Sequence, residues 1–446
     1  MTNEFTGRWP LAMHAPDGLF SMSVNVLFGV VVVALLAAAC RSLTRRYDQR
    51  AVPVMGVLAA FVFAAQMVNF PVASGTTGHL LGGTLTAILL GPWAGLVVMT
   101  VVVGFQALLG DGGITVLGPN IFNMGVVGTC LGYYVYRAVA GQREPGGNAA
   151  RVVGAACFAA WLAVVLASAF ASVQLAVSGT ASLSRALPAM VGVHMLIGIG
   201  EALITAGVVA FVVRTRPELL YGQQATDAKP SGRGVIVVGL TGALVVAAGL
   251  SLLPMLWDYP DGLERVGLER GFIWEEPEYG PDGALAQLPA YPLGVRLGML
   301  NDQVGVVHRY DSCATPLAAG DVLLRIDSTS TPDLAAAAQA LGFDAQRRCF
   351  GTSVGSGLHV MLWRDGQERQ FDMSSATAPR AGTVTPLLAL LPDYALPGMP
   401  VLLGTSLAGV LGALVMFVVA GAIGRLLVRT PWRPTHVPVP PTPNSP

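Results

Sequence analysis

The chain has 446 residues, of which 53% are hydrophobic and only 12% charged. Its mean hydropathy of +0.61 is too high for a soluble protein of this size. Lys+Arg and Asp+Glu balance at 26 each, which excludes the electrostatic footprint of a nucleic-acid binder.

Residues 1–12 carry Glu4 and Arg8 and lack an apolar core, so they are not a signal peptide. They read as an N-terminal extension that the mature protein need not keep. Next comes the compact string Met13-His14-Ala15-Pro16-Asp17-Gly18. A terminal Met-His pair is a chelate: the α-amine, the next backbone nitrogen and the imidazole fill three corners of a square around a divalent ion. A tetragonal nitrogen field suits Ni(II) or Cu(II), and Co(II), better than Mg or Ca. The amine must lie on the residue directly before the histidine, so the working protein is expected to begin at Met13.

Apolar runs of about 20 residues with few charges mark transmembrane helices. They fall near 22–40, 53–70, 79–90, 93–109, 119–137, 151–177, 187–213, 235–256 and 399–428. The expected fold is therefore an all-α polytopic membrane protein of about nine transmembrane helices. The third run is too short to span alone, and Gly91-Pro92 closes it with a turn. Interrupted helices of this kind sit where protein or a cavity surrounds them. Basic residues set the orientation. Arg41, Arg45, Arg46 and Arg50 follow the first run, and Arg137, Arg143 and Arg151 flank the loop after the fifth. Arg214, Arg216, Lys229 and Arg233 separate the seventh from the eighth, and Arg425, Arg429 and Arg433 follow the last. All four clusters face the cytoplasm if 79–90 crosses. The N-terminus and residues 257–398 are then extracytoplasmic and the C-terminus cytoplasmic, in a bacterial plasma membrane.

His79 lies in Ser74-Gly75-Thr76-Thr77-Gly78-His79-Leu80-Leu81-Gly82-Gly83-Thr84, at the entry of the short helix. An ionisable group at membrane depth is a candidate functional residue. It reads equally as a histidine satisfied by a backbone carbonyl at a helix end.

These strings resemble the CbiM/NikM family, the metal-binding membrane components of energy-coupling-factor cobalt and nickel transporters. Further matches are Phe105-Gln106-Ala107-Leu108-Leu109, Gly110-Asp111-Gly112-Gly113-Ile114-Thr115, Leu117-Gly118-Pro119-Asn120-Ile121-Phe122-Asn123-Met124-Gly125 and His194-Met195-Leu196-Ile197-Gly198-Ile199-Gly200-Glu201. The resemblance covers 13–213 and implies Met13, His14 and His79 as metal ligands, with His79 giving the fourth equatorial nitrogen. Asn120, Asn123, His194 and Glu201 read either as a second shell that orients the ligands or as interhelical hydrogen-bond glue. Pro119 stands where the family has a small residue.

Pro260-Asp261-Gly262-Leu263-Glu264-Arg265 and Leu391-Pro392-Asp393-Tyr394-Ala395-Leu396-Pro397-Gly398 resemble the two ends of the extracytoplasmic loop of a PDGLE domain, the CbiN/NikN-like partner. Between them, 284–376 reads as a small extracytoplasmic β-rich insertion. Strands are expected at Gly305-Val306-Val307, Asp321–Ile326 and Leu358–Trp363, with a hairpin turn at Arg364-Asp365-Gly366. The Ala318–Asp327 string, followed by a helical Asp333–Gly342, is similar to a PDZ core. The expected layout is 1–12 extension, 13–216 metal-binding domain, 217–233 cytoplasmic linker, and 234–446 PDGLE-type domain with helices 235–256 and 399–428 around the insertion. Nothing in the sequence names a partner for that insertion.

Cys40, Cys130 and Cys157 lie in or beside helices, where free cysteine acts as a small hydrophobe. Cys313 and Cys349 fall in the insertion and are a candidate disulfide, or two unpaired thiols. An intramembrane metalloprotease with a PDZ-like module would need HExxH, which is missing, since His194 and Glu201 stand seven apart. A vitamin-binding coupling-factor component would need an aromatic-lined pocket, and aromatics are 7%. No phosphate-binding loop of the Walker type occurs. The chain is thus expected to be a transport component rather than an enzyme, capturing Co2+ or Ni2+ as substrate, with a lean toward nickel. A separate transmembrane coupling component and ATP-binding cassette ATPases would supply the energy.

Overall fold

The computed structural model describes residues 14–49, 51–68, 70–72, 77–141, 148–222, 232–250, 263, 266–267, 278–280, 284–290, 293–309, 315–344, 349–350, 358–373, 390 and 401–428. Met13 and Cys313, and with Cys313 the proposed bridge to Cys349, lie outside the described residues.

Helix α1 (Met22–Arg46) starts where the Ser21 side chain accepts a hydrogen bond from the Val24 amide, and its last turn holds Arg45 and Arg46. α2 (Ala51–Gln66) runs back to a two-residue ribbon, β1 (Phe70–Pro71) with β2 (Thr77–Gly78). The short α3 (Gly83–Leu90) is buried along its whole length. Gly91, at φ +82°, ends it and starts α4 (Pro92–Leu109), whose Pro92 sits in the first turn. α5 (Leu117–Asn120) leads directly into an 11-residue π-helix, Ile121–Leu131, and then into α6 (Gly132–Ala140). α7 (Ala149–Val177) and α8 (Leu183–Thr215) form the long hairpin that closes this half.

The two C-terminal helices, α9 (Gly232–Leu250) and α11 (Val401–Leu427), pack on α2, so they join the bundle rather than stand apart from it. Val52, Met55, Phe63 and Val97 belong to the same core as Ala243, Ala413 and Met416. Among the described residues, five helices are long and apolar enough to cross a membrane: Met22–Arg46, Pro92–Leu109, Ala149–Val177, Leu183–Thr215 and Gly404–Leu427. Ala51–Gln66 is apolar but shorter.

The β-rich part is one antiparallel sheet built from β3 (Glu278–Tyr279), β4 (Leu285–Ala290), β5 (Val295–Leu300), β6 (Gln303–Arg309), β7 (Val322–Ile326) and β8 (Thr329–Ser330), with β11 (Leu358–Arg364) and β12 (Gln367–Met373). The strand order is β12-β11-β7-β6-β5-β4-β3, with β8 beside β7. A separate ribbon pairs β9 (Phe343–Asp344) with β10 (Cys349–Phe350). Helix α10 (Leu334–Ala340) lays Leu334, Ala337 and Ala338 on a core of Leu288, Val295, Leu297, Val306, Leu323, Val360 and Leu362. The β5–β6 and β11–β12 hairpins use positive φ at two successive residues, Asn301 with Asp302 and Asp365 with Gly366, and the β7–β8 hairpin uses it at Asp327, in keeping with the twist of two-residue connections.

Candidate metal centre

His14 and His79 are 65 residues apart in sequence, and the fold sets their rings edge to face, with centroids 5.5 Å apart at 82°. Both are buried, at 3% and 8% exposure. His14 Nδ1 lies 3.2 Å from the Asp111 carbonyl oxygen and 3.5 Å from Asp111 Oδ1. A carbonyl only accepts, so Nδ1 carries the proton there, which in a neutral imidazole leaves the lone pair on Nε2. His14 Nε2 is buried with no hydrogen-bond partner. His79 Nδ1 likewise faces a backbone carbonyl, that of Leu80, at 3.1 Å. An imidazole whose Nδ1–H is held by a backbone carbonyl is oriented as metal-bound histidines are.

The segment carrying His14 is irregular backbone, and interior polar groups hold it in place. The Ala15 carbonyl accepts from the Gly113 amide at 3.0 Å and from Asn120 Nδ2 at 2.9 Å. Asp17 Oδ1 accepts from the Thr115 amide at 2.7 Å and its hydroxyl at 2.6 Å. Thr180 Oγ1 donates to the Leu19 carbonyl at 2.7 Å, and Ser178 Oγ accepts from the Ser21 amide at 3.0 Å. The 110–115 turn can approach so closely because Gly112 sits at φ +99° and a Cβ there would lie 2.9 Å from His14 Cβ. Leu263, from the PDGLE-like string, and Val266 pack with Ala15, Leu19, Phe20 and Val116 over this segment.

Residues 79–82 are irregular, and Gly82 in the left-handed region at φ +76° stops α3 from continuing toward His79. Glu201, 1% exposed, accepts from the Leu81 amide through Oε2 at 2.6 Å and from the Gly82 amide through Oε1 at 3.0 Å. Gln66 Nε2 donates to the Leu81 carbonyl at 2.8 Å. Asn120 and Glu201 thus each touch the backbone of a histidine-bearing segment. Asn123 does not: its side-chain amide pairs with that of Gln174 at 2.8 and 3.0 Å, tying the π-helix to α7. His194 bonds within its own helix, Nδ1 to the Met190 carbonyl at 2.8 Å.

Asp17, Asp111, Thr115 and Gln66 were not singled out as site residues from the sequence. Their signal was their polarity at the ends of apolar runs, which by itself does not say what they hold. Among the described residues, no cluster of three or more His, Cys, Asp or Glu side chains could hold a metal ion. Among the described residues, the two imidazoles are the ring donors that the fold brings together, with the Asp111 carboxylate beside His14.

Comparison with known proteins finds a match to the family model described as the cobalt uptake substrate-specific transmembrane region (CbiM) over residues 14–219. The PDGLE domain model matches residues 356–429, which takes in Leu391–Gly398 and the last helix but not Pro260–Arg265. The chain is 35% identical to the fused nickel transport protein NikMN of Rhodobacter capsulatus, covering 54% of this chain and 73% of that protein. It is 31% identical to the cobalt transport protein CbiM of Geobacter sulfurreducens, covering 61% of this chain and 82% of that one. A crystal structure of a truncated transition metal transporter covers 45% of this chain and 98% of its own, at 32% identity and a TM-score of 0.41.

Proposed function

Because the chain belongs to the CbiM family of cobalt and nickel transport proteins, in a form fused to a PDGLE domain, we propose that it captures Ni2+ or Co2+ between His14 and His79 for import. It is a membrane-embedded transport component rather than an enzyme, and the ion is its substrate. The observation that carries the site is the pair of buried facing imidazoles, with His14 Nε2 left without a partner. Nickel is the better fit for a nitrogen-only field, and the Rhodobacter capsulatus relative is a fused nickel transport protein.

The full square adds the backbone nitrogen of His14 and the amine of Met13. A ring that includes the His14 backbone nitrogen closes through Nδ1, the atom that faces Asp111 here. Binding in that mode exchanges the Asp111 contact for the ion by turning the imidazole. Without the turn, the ion takes Nε2 and the chelate stays open. The d–d spectrum of the nickel complex separates the two, since only the closed square is square-planar and diamagnetic.

Nine crossings, with the N-terminus and 257–398 outside and the C-terminus inside, remain the topology that collects the basic clusters on one face. The layout stays 1–12, 13–216, 217–233 and 234–446, with a PDZ-like insertion over 284–376 that holds the sheet from β4 onward and Cys313–Cys349 as its bridge in the oxidising compartment. A cysteine placed at Gly366 should react with an impermeant maleimide added to intact cells, and protection until lysis would refute this orientation. Energy comes from a transmembrane coupling component and ATP-binding cassette ATPases. The His194–Glu201 spacing gives no second reading as a protease.

His14→Ala and His79→Ala should each abolish tight Ni2+ binding, measured by competition with a chromogenic chelator, while leaving the melting temperature within a few degrees of the parent. Parent-like binding by both variants would overturn the site.

A further inference from the structure

The elements that meet at the two histidines meet again at the opposite end of α3. Tyr47 directly follows α1, which carries the His14 segment at its start. Tyr221 follows α8, the helix of Glu201, and its amide donates to the Ile88 carbonyl in the last turn of α3 at 3.0 Å. Tyr133 lies in α6, which continues the π-helix that begins after Asn120. The Tyr47 and Tyr221 rings stack, with centroids 5.9 Å apart at 18°, and Tyr133 meets Tyr221 edge-on at 5.8 Å. Tyr47 and Tyr221 lean on the Gly91 turn, where a Cβ would lie 2.7 Å from both the Tyr221 ring and the Tyr47 hydroxyl, and Tyr133 reaches the turn only through Tyr221. Gly91 also holds φ +82°, so the turn and the stack require glycine for separate reasons.

Between stack and site lies only α3, eight buried residues or roughly 12 Å of helix. Thr84 Oγ1 fastens it to the Gly128 carbonyl of the π-helix at 3.0 Å. A short rod packed on every side transmits displacement rather than absorbing it. The same end of the bundle carries Arg45 and Arg46 in the last turn of α1, Arg137 in the last turn of α6 and Arg214 in the last turn of α8. That charge marks the face where a cytoplasmic partner would reach the protein.

We propose that the Tyr47–Tyr221–Tyr133 stack on Gly91 is the positioning device that sets the His14–His79 geometry from the other end of α3, and the point at which a partner on the basic face loosens the site to release the ion. The inference rests on the capture site proposed above. While the stack is closed, α1, α3, α6 and α8 are fixed relative to one another and the imidazoles are held together. Parting Tyr47 from Tyr221 frees the inner ends of α1 and α3, and the histidines they carry separate.

The test follows Ni2+ release from the purified full-length protein by stopped-flow chelator competition. Tyr221→Leu removes the ring and should speed release roughly tenfold, within the usual range of coupling between sites. Tyr221→Phe keeps the stacking face and should stay close to the parent. Tyr133→Leu removes the edge contact alone and should fall between them, and it decides the matter if Tyr221→Leu fails to fold. Folded Leu variants that release Ni2+ at the parent rate overturn the proposal. His14→Ala runs beside them: if it still binds Ni2+, the capture site is wrong and the stack has nothing to control.

Discussion

Replacing Glu201 by alanine tests how far the His79 segment depends on a side chain 122 residues away. Glu201 accepts from the Leu81 and Gly82 amides at 2.6 and 3.0 Å, and it is 1% exposed. Truncation leaves two buried N–H groups without an acceptor, at about 1–3 kcal/mol each. A water entering the vacated space would recover part, so the expected cost is at the low end, about 2 kcal/mol. Gln66 still holds the Leu81 carbonyl, so the segment loosens rather than unfolds. If that cost falls on the metal-competent arrangement, Ni2+ affinity drops roughly 30-fold, since 1.4 kcal/mol is a factor of ten. Glu201→Gln keeps one acceptor oxygen and turns an NH2 toward the other amide, so it should weaken binding as well while retaining the side-chain volume. Chelator competition gives the affinity, and a thermal melt in detergent gives the stability. Parent-like values for Glu201→Ala in both assays would refute the reasoning.

The Asn123–Gln174 amide pair should act on stability and not on the ion: a double-mutant cycle with Asn123→Ala and Gln174→Ala is expected to give a coupling of about 1 kcal/mol, with nickel affinity unchanged. In the sheet, the Asp372 carboxylate hydrogen-bonded to His359 raises that imidazole above its ordinary value. The sign follows: its stabilising contribution is complete below the unfolded-state value and is lost as pH rises through the raised one. Asp372→Asn should return the His359 titration, followed by its ring proton shifts, to the ordinary range.

Helix positions were open to reading because membrane helices announce themselves by apolar runs. Each expected segment holds a helix, and most ends agree within four residues, as at Val401–Leu427; the first helix runs six residues past its expected end at 40, to Arg46. The strands at Val322–Ile326 and Leu358–Arg364 and the turn at Asp365-Gly366 followed from alternation and turn residues. Two features were not open to that reading. The third segment was expected from 79, whereas α3 begins at Gly83, because Gly82 takes a left-handed conformation at φ +76° that a right-handed helix cannot pass through, and Glu201 caps the Leu81 and Gly82 amides there. The π-helix leaves no local trace either. Its residues Ile121–Leu131 are apolar like those of the neighbouring α-helices, and the wider turn shows only in the register of the backbone.

The two histidines of the proposed site stand out in the sequence, and the residues that hold their segments do not. His14 meets Asp111 across 97 positions and Glu201 meets Gly82 across 119, and spacing along the chain cannot reveal contacts of that range. The structure sorts the interior polar residues by what they bond. Asn123 and Gln174 bond each other and so join two helices. Asn120, Glu201, Gln66 and Asp17 bond backbone, and all four end on the segments 15–17, 81–82 or the 115 turn. Irregular backbone at membrane depth persists only where its N–H and C=O groups find partners inside the protein. These four residues meet that requirement for the two segments that carry the imidazoles. At the proposed site, a segment held this way would need little further ordering when an ion arrives, which would leave the binding free energy to the metal–nitrogen bonds. That division of labour is why polar substitutions at 66, 120 and 201 should weaken the ion's grip, whereas substitutions at 123 and 174 should only loosen the bundle.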